Sequence, residues 1–546
     1  MLAMAPQPMT PNPIRSTSVL LFQDLGPPQR GGPVRRIAST TSPQSSERMT
    51  SRARRAKARE TRPVRARRGP GIVRSSCPVV LIVTQPAAAG NPAVSAPAAA
   101  DADRTDRAGL WHNTPAMTSD CVLGVDLGTS GARAVLVGSD GQILAQAGTA
   151  YHLFAPRTDW AEQEADEVLA GASQAVRQAL AQSGRPPAAV RALALSGVLH
   201  SLLAVDAAGR PLGRALTWAD SRAAAQARAI ADSWQALYPL TGCPPHPLYP
   251  LAKARWFRER APEIFARAAR FVSLKEYVLY HWTGRWVIDH SLASGTGLFD
   301  LRRLTWLPAA LDLAGLDPDR LSEPVAPTAR LPFRPVAART LGLSPEVVLV
   351  PGAGDGPLAC LGAGGIGPGQ LTATVGTSGA VRAVLPAPRT DPEQRTWCYY
   401  LAEGRWVAGG AINNAGLAYR WLAQQVLGLT EDAAEQLAAE APPGAGGLLC
   451  LPFLTGERSP YWNADARGLF VGLSLEHNRR HLLRAMVEGV CFRLRSVAEA
   501  VAATGGLGLI VGPGCVLPVG TPDPNLAAVV KALGGELRRV PGATVW

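Results

Sequence analysis

With 546 residues and 57.3 kDa, the chain is too long for one compact core, and two or three domains are expected. The formal charge is +13, but 17 of the 55 Lys/Arg and only 6 of the 42 Asp/Glu fall in the first 117 residues, so that stretch carries +11 and the remaining 429 residues only +2. A basic nucleic-acid or membrane surface on the folded part is thereby excluded, the eight scattered cysteines give neither a zinc site nor a disulfide framework, and no window reaches the run of about 18 apolar residues that spans a bilayer.

Residues 1–118 show no sustained period and are rich in Pro, Ser, Ala and Arg, as in Ser51-Arg-Ala-Arg-Arg-Ala-Lys-Ala-Arg. They read as a disordered basic extension. A basic arm for nucleic acid or lipid is the functional alternative, and a true start at Met117 is the favoured third reading. The apolar run at 77–83 imitates a signal peptide only faintly, because it lies far from residue 1. From 119 the pattern changes. Cys121-Val-Leu-Gly-Val-Asp, Ala132-Arg-Ala-Val-Leu-Val and Ile143-Leu-Ala-Gln-Ala predict a β-meander, the last two runs joined through Ser139-Asp-Gly. Helical spacing follows over 164–183, closed by Gly184 and Pro186. A strand over 190–195, a hairpin near 202–210 and helices near 221–237 and 253–269 come next. A second strand set (347–350, 371–375, 380–384, 406–409) passes into helices near 414–427 and 481–503. Two β-then-α modules in tandem imply a duplicated fold with a cleft between its halves, 119–352 and 353–546.

Gly124-Val-Asp-Leu-Gly-Thr-Ser-Gly runs off the first strand. Gly128 permits a tight turn, Thr129 and Ser130 offer donors to phosphate oxygens, and Asp126 stands beside them as a candidate magnesium contact, directly or through water. An ordinary hairpin turn would have the same sequence. The theme recurs at Thr374-Val-Gly-Thr-Ser-Gly, so two such turns would clamp a phosphate chain from both sides. Neither is a Walker loop or a dinucleotide-binding fingerprint. Between them, Pro351-Gly-Ala-Gly-Asp-Gly exposes Asp355 after a strand. A carboxylate there serves as the base that takes a proton from an attacking hydroxyl, or equally turns the chain into the next helix.

These residues resemble the FGGY carbohydrate kinases, and Gly468-Leu-Phe-Val-Gly-Leu followed after seven residues by His481-Leu-Leu-Arg-Ala-Met-Val-Glu agrees throughout with that family's C-terminal signature. Around Lys253 and Trp256 the N-terminal signature fits less well, Ala254 standing where a larger apolar residue is usual. The resemblance implies an α/β, two-domain ribonuclease H-like/actin-like ATPase fold with ATP and sugar in the interdomain cleft. It implies Asp355 as catalytic base, Asp126 near Mg²⁺, and Gly128, Thr129, Ser130, Arg133, Gly376, Thr377 and Ser378 around the phosphates of ATP, with Gly410 and Asn414 along the nucleoside path. On the sugar side it implies Trp160, Leu199 and His200.

The segments around Ser196, Thr217 and Thr241 resemble gluconokinases most, which makes D-gluconate the expected acceptor and 6-phosphogluconate the product. A xylulokinase-like specificity and a catalytically impaired binding protein are the alternatives. A gluconate carboxylate favours a cationic neighbour, and Arg222, His246 and Lys253 are available. Arg222 and Lys253 can equally be solvated helix charges, and His246 a loop cap. No nucleic-acid or membrane partner is expected, a homodimer stays open, and the use of ATP implies the cytoplasm. After 504 the resemblance breaks, then partly returns at 526–541. A local reading-frame slip over about 507–525, and a second that ends the chain at Trp546 before a last helix, are the expectation.

Overall fold

The structure, a computed structural model, describes residues 120–367 and 370–505 in full and the backbone of two further strands, Val79–Thr84 and Glu536–Arg538. In the first lobe Cys121–Leu127, Gly131–Gly138 and Ile143–Ala150 form the expected antiparallel meander. Val190–Gly197 joins the other edge of the first strand in parallel, followed by Val348–Gly354, also parallel, and by the short Leu331–Pro332. Strict alternation buries Cys121, Leu123, Val125 and Leu127 and puts Asp126 on the opposite face. The helix Ala165–Ser183 covers the core face because Val168, Ala172, Ala175, Val176, Ala179 and Leu180 recur at helical spacing, and it stops at Gly184, whose φ is 63°.

The second lobe repeats the scheme. Leu371–Val375, Gly379–Leu385, Arg405–Ile412 and Trp397–Ala402 form an antiparallel sheet, and the 27-residue helix Arg479–Gly505 packs Val490, Leu494, Val497 and Val501 on Val375, Val381 and Ile412. The duplicated β-then-α architecture is therefore as expected. The lobes also share one apolar seam, in which Trp234, Tyr249, Leu251 and Phe299 meet Val384, Trp397, Tyr399 and Leu401. Ser294 Oγ accepts from the Tyr400 N–H at 2.9 Å, and the Tyr249 and Tyr399 hydroxyls are 3.0 Å apart.

Several elements differ from the sequence reading. The segment read as disordered contributes Val79–Thr84, which pairs antiparallel with Leu371–Val375 and with Glu536–Arg538; its Val-Val-Leu-Ile-Val-Thr composition suits an extended strand. The remainder of 1–118, the expected slip over 507–525 and the chain end lie outside the described residues. The helix near 221–237 is split at Ile230, and the one near 253–269 ends at Arg260 and restarts at Pro262, where proline favours the first helical turn. The last turns of 414–427 are π-helical, Trp421–Val426. The helix Leu274–Thr283 was not foreseen, although Ser273 and Glu276 form a capping box at its start. Cys121, Cys243, Cys360, Cys398 and Cys450 are buried free thiols.

Candidate active site

Asp355 is the first residue of the helix Asp355–Gly362, directly after the strand Val348–Gly354. The turn before it is held on both sides. Ser291 Oγ accepts from the Gly354 N–H at 3.2 Å, and Lys275 Nζ donates to the Ala353 carbonyl at 3.0 Å and to Asp289 Oδ2 at 2.8 Å. Gly352 has φ 66°, and a Cβ there would fall 1.8 Å from the Leu195 carbonyl, so only glycine fits. A Cβ on Gly197 would meet the Lys275 methylenes at 2.8 Å.

The carboxyl of Asp355 opens onto the gap, yet the surrounding protein thins its hydration. Burial, and then the nearby Asp126 charge, push it up to about 6, while the Gly356 N–H, Arg382 and Lys275 pull it down. Asp126 is likewise raised, first by burial, against the Ser196 hydroxyl that donates to it at 2.8 Å and the charges of Arg133 and Lys275. Arg133 Nη1 lies 4.0 Å from Asp126 Oδ2. From the second lobe Arg382 donates to Thr374 Oγ1 at 3.0 Å, and its guanidinium lies beside Gly356. The end of the strand carrying the first turn and the strands carrying the second thus converge on Asp355.

The first turn is closed by the Gly128 N–H to the Gly131 carbonyl at 3.1 Å, and the Gly128 carbonyl accepts from the Tyr151 hydroxyl at 2.6 Å. Thr129 Oγ1 accepts from the Trp218 indole at 2.9 Å, and Ser130 is exposed. In the second turn the Gly376 N–H bonds the Ser378 carbonyl at 2.8 Å. Thr377 is exposed, with its hydroxyl 3.1 Å from Arg420 Nη2. Gly410 and Asn414 are buried. A Cβ on Gly410 would strike Ser459 Oγ at 2.3 Å, and the Asn414 amide is spent on Gly456 and Thr455. Both residues hold the 455–459 loop.

On the sugar side, Leu199 lies under Gly354. His200, at φ 70°, bonds the Gly295 carbonyl through Nδ1 at 2.6 Å and packs edge-on to Tyr249 and Tyr399. Burial holds His200 and His246 down at about 3, so both are neutral. Trp160 carries the Arg222 guanidinium 3.5 Å above its ring. Arg222 is already paired with Glu162 and Asp220, each at 2.6 Å. Lys253 is fully buried, donates to the His200 and Thr217 carbonyls at 2.7 Å each, and is pushed down to about 7 by burial. Neither cation is a solvated helix charge; both brace the pocket wall. Sequence reasoning missed Lys275, Asp289, Arg382 and Arg458. The capping box pointed to the first; the others carry no local signal. A separate cavity of about 790 Å³ lies away from Asp355, and its Glu164 and Asp166 are engaged by Arg214 and Tyr277.

A divalent cation fits beside Asp126. The Asp126 charge that raises Asp355 is relieved by a nearby cation, and among the described residues no cluster of three ligating side chains exists, as suits an ion held chiefly by phosphates and water. No helix among the described residues is long and apolar enough to cross a membrane.

Residues 121–362 match the N-terminal domain of the FGGY family of carbohydrate kinases and 371–529 its C-terminal domain, the latter running across the stretch read as altered. Over 394 residues the chain is 36% identical to a gluconokinase of Bacillus licheniformis, covering 70% of this chain and 76% of that one. A gluconate kinase structure from Lactobacillus acidophilus has a TM-score of 0.66 at 29% identity, over 70% of this chain and 78% of its own. A ligand-bound xylulose kinase structure from the same species has a TM-score of 0.66 at 30% identity, over the same shares. Both domains are matched in order on an actin-like duplicated fold, and the chain belongs to the FGGY family of ATP-using carbohydrate kinases.

Proposed function

We propose that the protein transfers the γ-phosphoryl group of ATP to the terminal hydroxyl of D-gluconate. The observation that carries the reaction is the convergence of both lobes on Asp355, together with a carboxyl raised to about 6, near enough to neutrality to accept a proton yet ionised at pH 7. The substrate rests on the greater identity to a gluconokinase (36%) than to a xylulose kinase of Lactococcus lactis (28%). As the hydroxyl oxygen bonds to the γ-phosphorus, its proton passes to Asp355 and the bond to the β-phosphate oxygen breaks, releasing ADP. The turns at Gly128-Thr129-Ser130 and Gly376-Thr377-Ser378 position the phosphates from opposite lobes, and Arg133 and Arg382 supply positive charge. Magnesium, held through Asp126, would neutralise phosphate charge when bound. Reliance on ATP puts the enzyme in the cytoplasm.

An ADP-release assay across gluconate, xylulose, ribulose and glycerol tests the assignment on the full chain. Gluconate is expected to be the best acceptor by at least about tenfold in kcat/KM. Good turnover of a ketose with none on gluconate would reject it, and nucleotide-stabilised melting without transfer to any acceptor would instead support an impaired binding protein. Since only the ionised base works, kcat/KM should fall about tenfold per unit as pH drops below about 6. A profile flat to pH 5 would be incompatible with this base.

A further inference from the structure

None of the three cations first considered for a sugar-acid carboxylate is free to meet one. Arg222 is neutralised by Glu162 and Asp220, Lys253 is fully buried with two of its three N–H donors given to carbonyls, and His246 is uncharged, its Nδ1 accepting from the Leu248 N–H at 3.2 Å. A fourth cation stands in the second lobe, in Gly456-Glu-Arg-Ser-Pro. Arg458 Nε donates to Asn413 Oδ1 at 2.6 Å and Nη2 to the Ile412 carbonyl at 3.3 Å, which fixes the guanidinium plane. No hydrogen bond from Nη1 and no carboxylate within ion-pair distance of Arg458 is found among the described residues. The charge of the adjacent Glu457 favours the Arg458 cation but forms no ion pair with it: Oε1 accepts the Asn413 and Arg458 backbone N–H groups and Oε2 faces Arg493 Nε at 3.7 Å.

The location is what makes an uncompensated guanidinium informative. Arg458 lies 5.4 Å from the Trp218 ring centroid, and the Trp218 indole donates to Thr129 of the first phosphate turn. Its charge acts on His200 and His246, and Arg382, which also acts on Asp355, acts on it. Arg382 is thus within electrostatic reach of both the base and Arg458, and Arg458 acts on the two sugar-side histidines. A six-carbon acid whose terminal hydroxyl meets Asp355 extends its other end toward the sugar-side residues, where Arg458 acts on His200 and His246. Leaving a guanidinium half-buried without a counter-ion is costly unless a ligand supplies the anion, and a planar fork with one edge already tethered suits a carboxylate.

We infer that Arg458 is the residue that binds the acceptor's carboxylate and so selects sugar acids over neutral sugars. This deepens the gluconate reading and rests on it. The test compares Arg458→Gln and Arg458→Lys with the wild type, using gluconate and the neutral six-carbon polyol glucitol as acceptors. Equilibrium titration of both ligands without ATP is read alongside, and melting temperatures verify folding. Arg458→Gln should lower kcat/KM for gluconate about 10- to 100-fold more than for glucitol, chiefly through KM. Arg458→Lys, which keeps the charge and loses the fork, should fall between. Equal losses for both acceptors, or a rise confined to the KM for ATP, would overturn the assignment. If the wild type fails to phosphorylate gluconate, the functional reading falls by itself. Arg458 is then judged by binding alone: a preference for gluconate over glucitol that Arg458→Gln abolishes sustains it, and the absence of that preference in the wild type overturns it.

Discussion

Asp355→Asn should abolish phosphoryl transfer, with kcat lower by about 10²–10⁴-fold, while nucleotide still raises the melting temperature. The amide is nearly the same size, can keep the bond from the Gly356 N–H to its remaining oxygen, and disturbs neither the Ala353 nor the Gly354 anchor, neither of which touches the side chain. What it loses is the carboxylate's negative charge, and with it the lone pair that takes the hydroxyl proton. ADP release at limiting and saturating gluconate, with nucleotide titration by melting, separates the two. Retention of more than about a tenth of kcat would rule out this carboxylate as the base.

Lys275→Met should be the most destabilising single change near the site. The Lys275–Asp289 pair is almost wholly excluded from water, with side-chain exposures of 1% and 0%. Removing the ammonium leaves a buried carboxylate whose other oxygen is tied to the Leu292 N–H, and breaking such a pair costs about 3–5 kcal/mol. The Ala353 carbonyl loses its donor as well. Denaturant unfolding should register this loss, and Lys275→Met combined with Asp289→Asn should recover more than half of it, because a neutral amide has far less desolvation to offset. A single-variant loss under about 1 kcal/mol would mean that solvent reaches the pair.

How much of this was legible in the chain depends on whether a signal was local. Alternation in Cys121–Leu127 and helical spacing in Ala165–Ser183 fix those elements, because burial on one face dictates the period. Asp126, Asp355 and both hydroxyl turns were found for the same reason: glycine and short polar residues mark sharp turns at strand ends. The cations were harder. Arg222 and Lys253 have the right charge for a ligand, but whether a charge is free depends on Glu162, Asp220 and the Thr217 carbonyl, which approach only in three dimensions. Arg458 shows the converse, since its lack of a partner is a property of the folded loop. Trp397–Ala402 was overlooked because it is buried along nearly its whole length and shows no alternation.

The aromatic seam between the halves has a consequence for how the enzyme must move. Trp397 and Tyr399 weld the lobes along one margin, while the polar turns on the other margin are not bonded to each other. A body joined in this way opens like a book about its spine, with little freedom to slide or twist. The unbound margin is then the side left for substrates to enter, and any hinge opening would carry Arg382 and Arg458 away from Gly356 and Trp218.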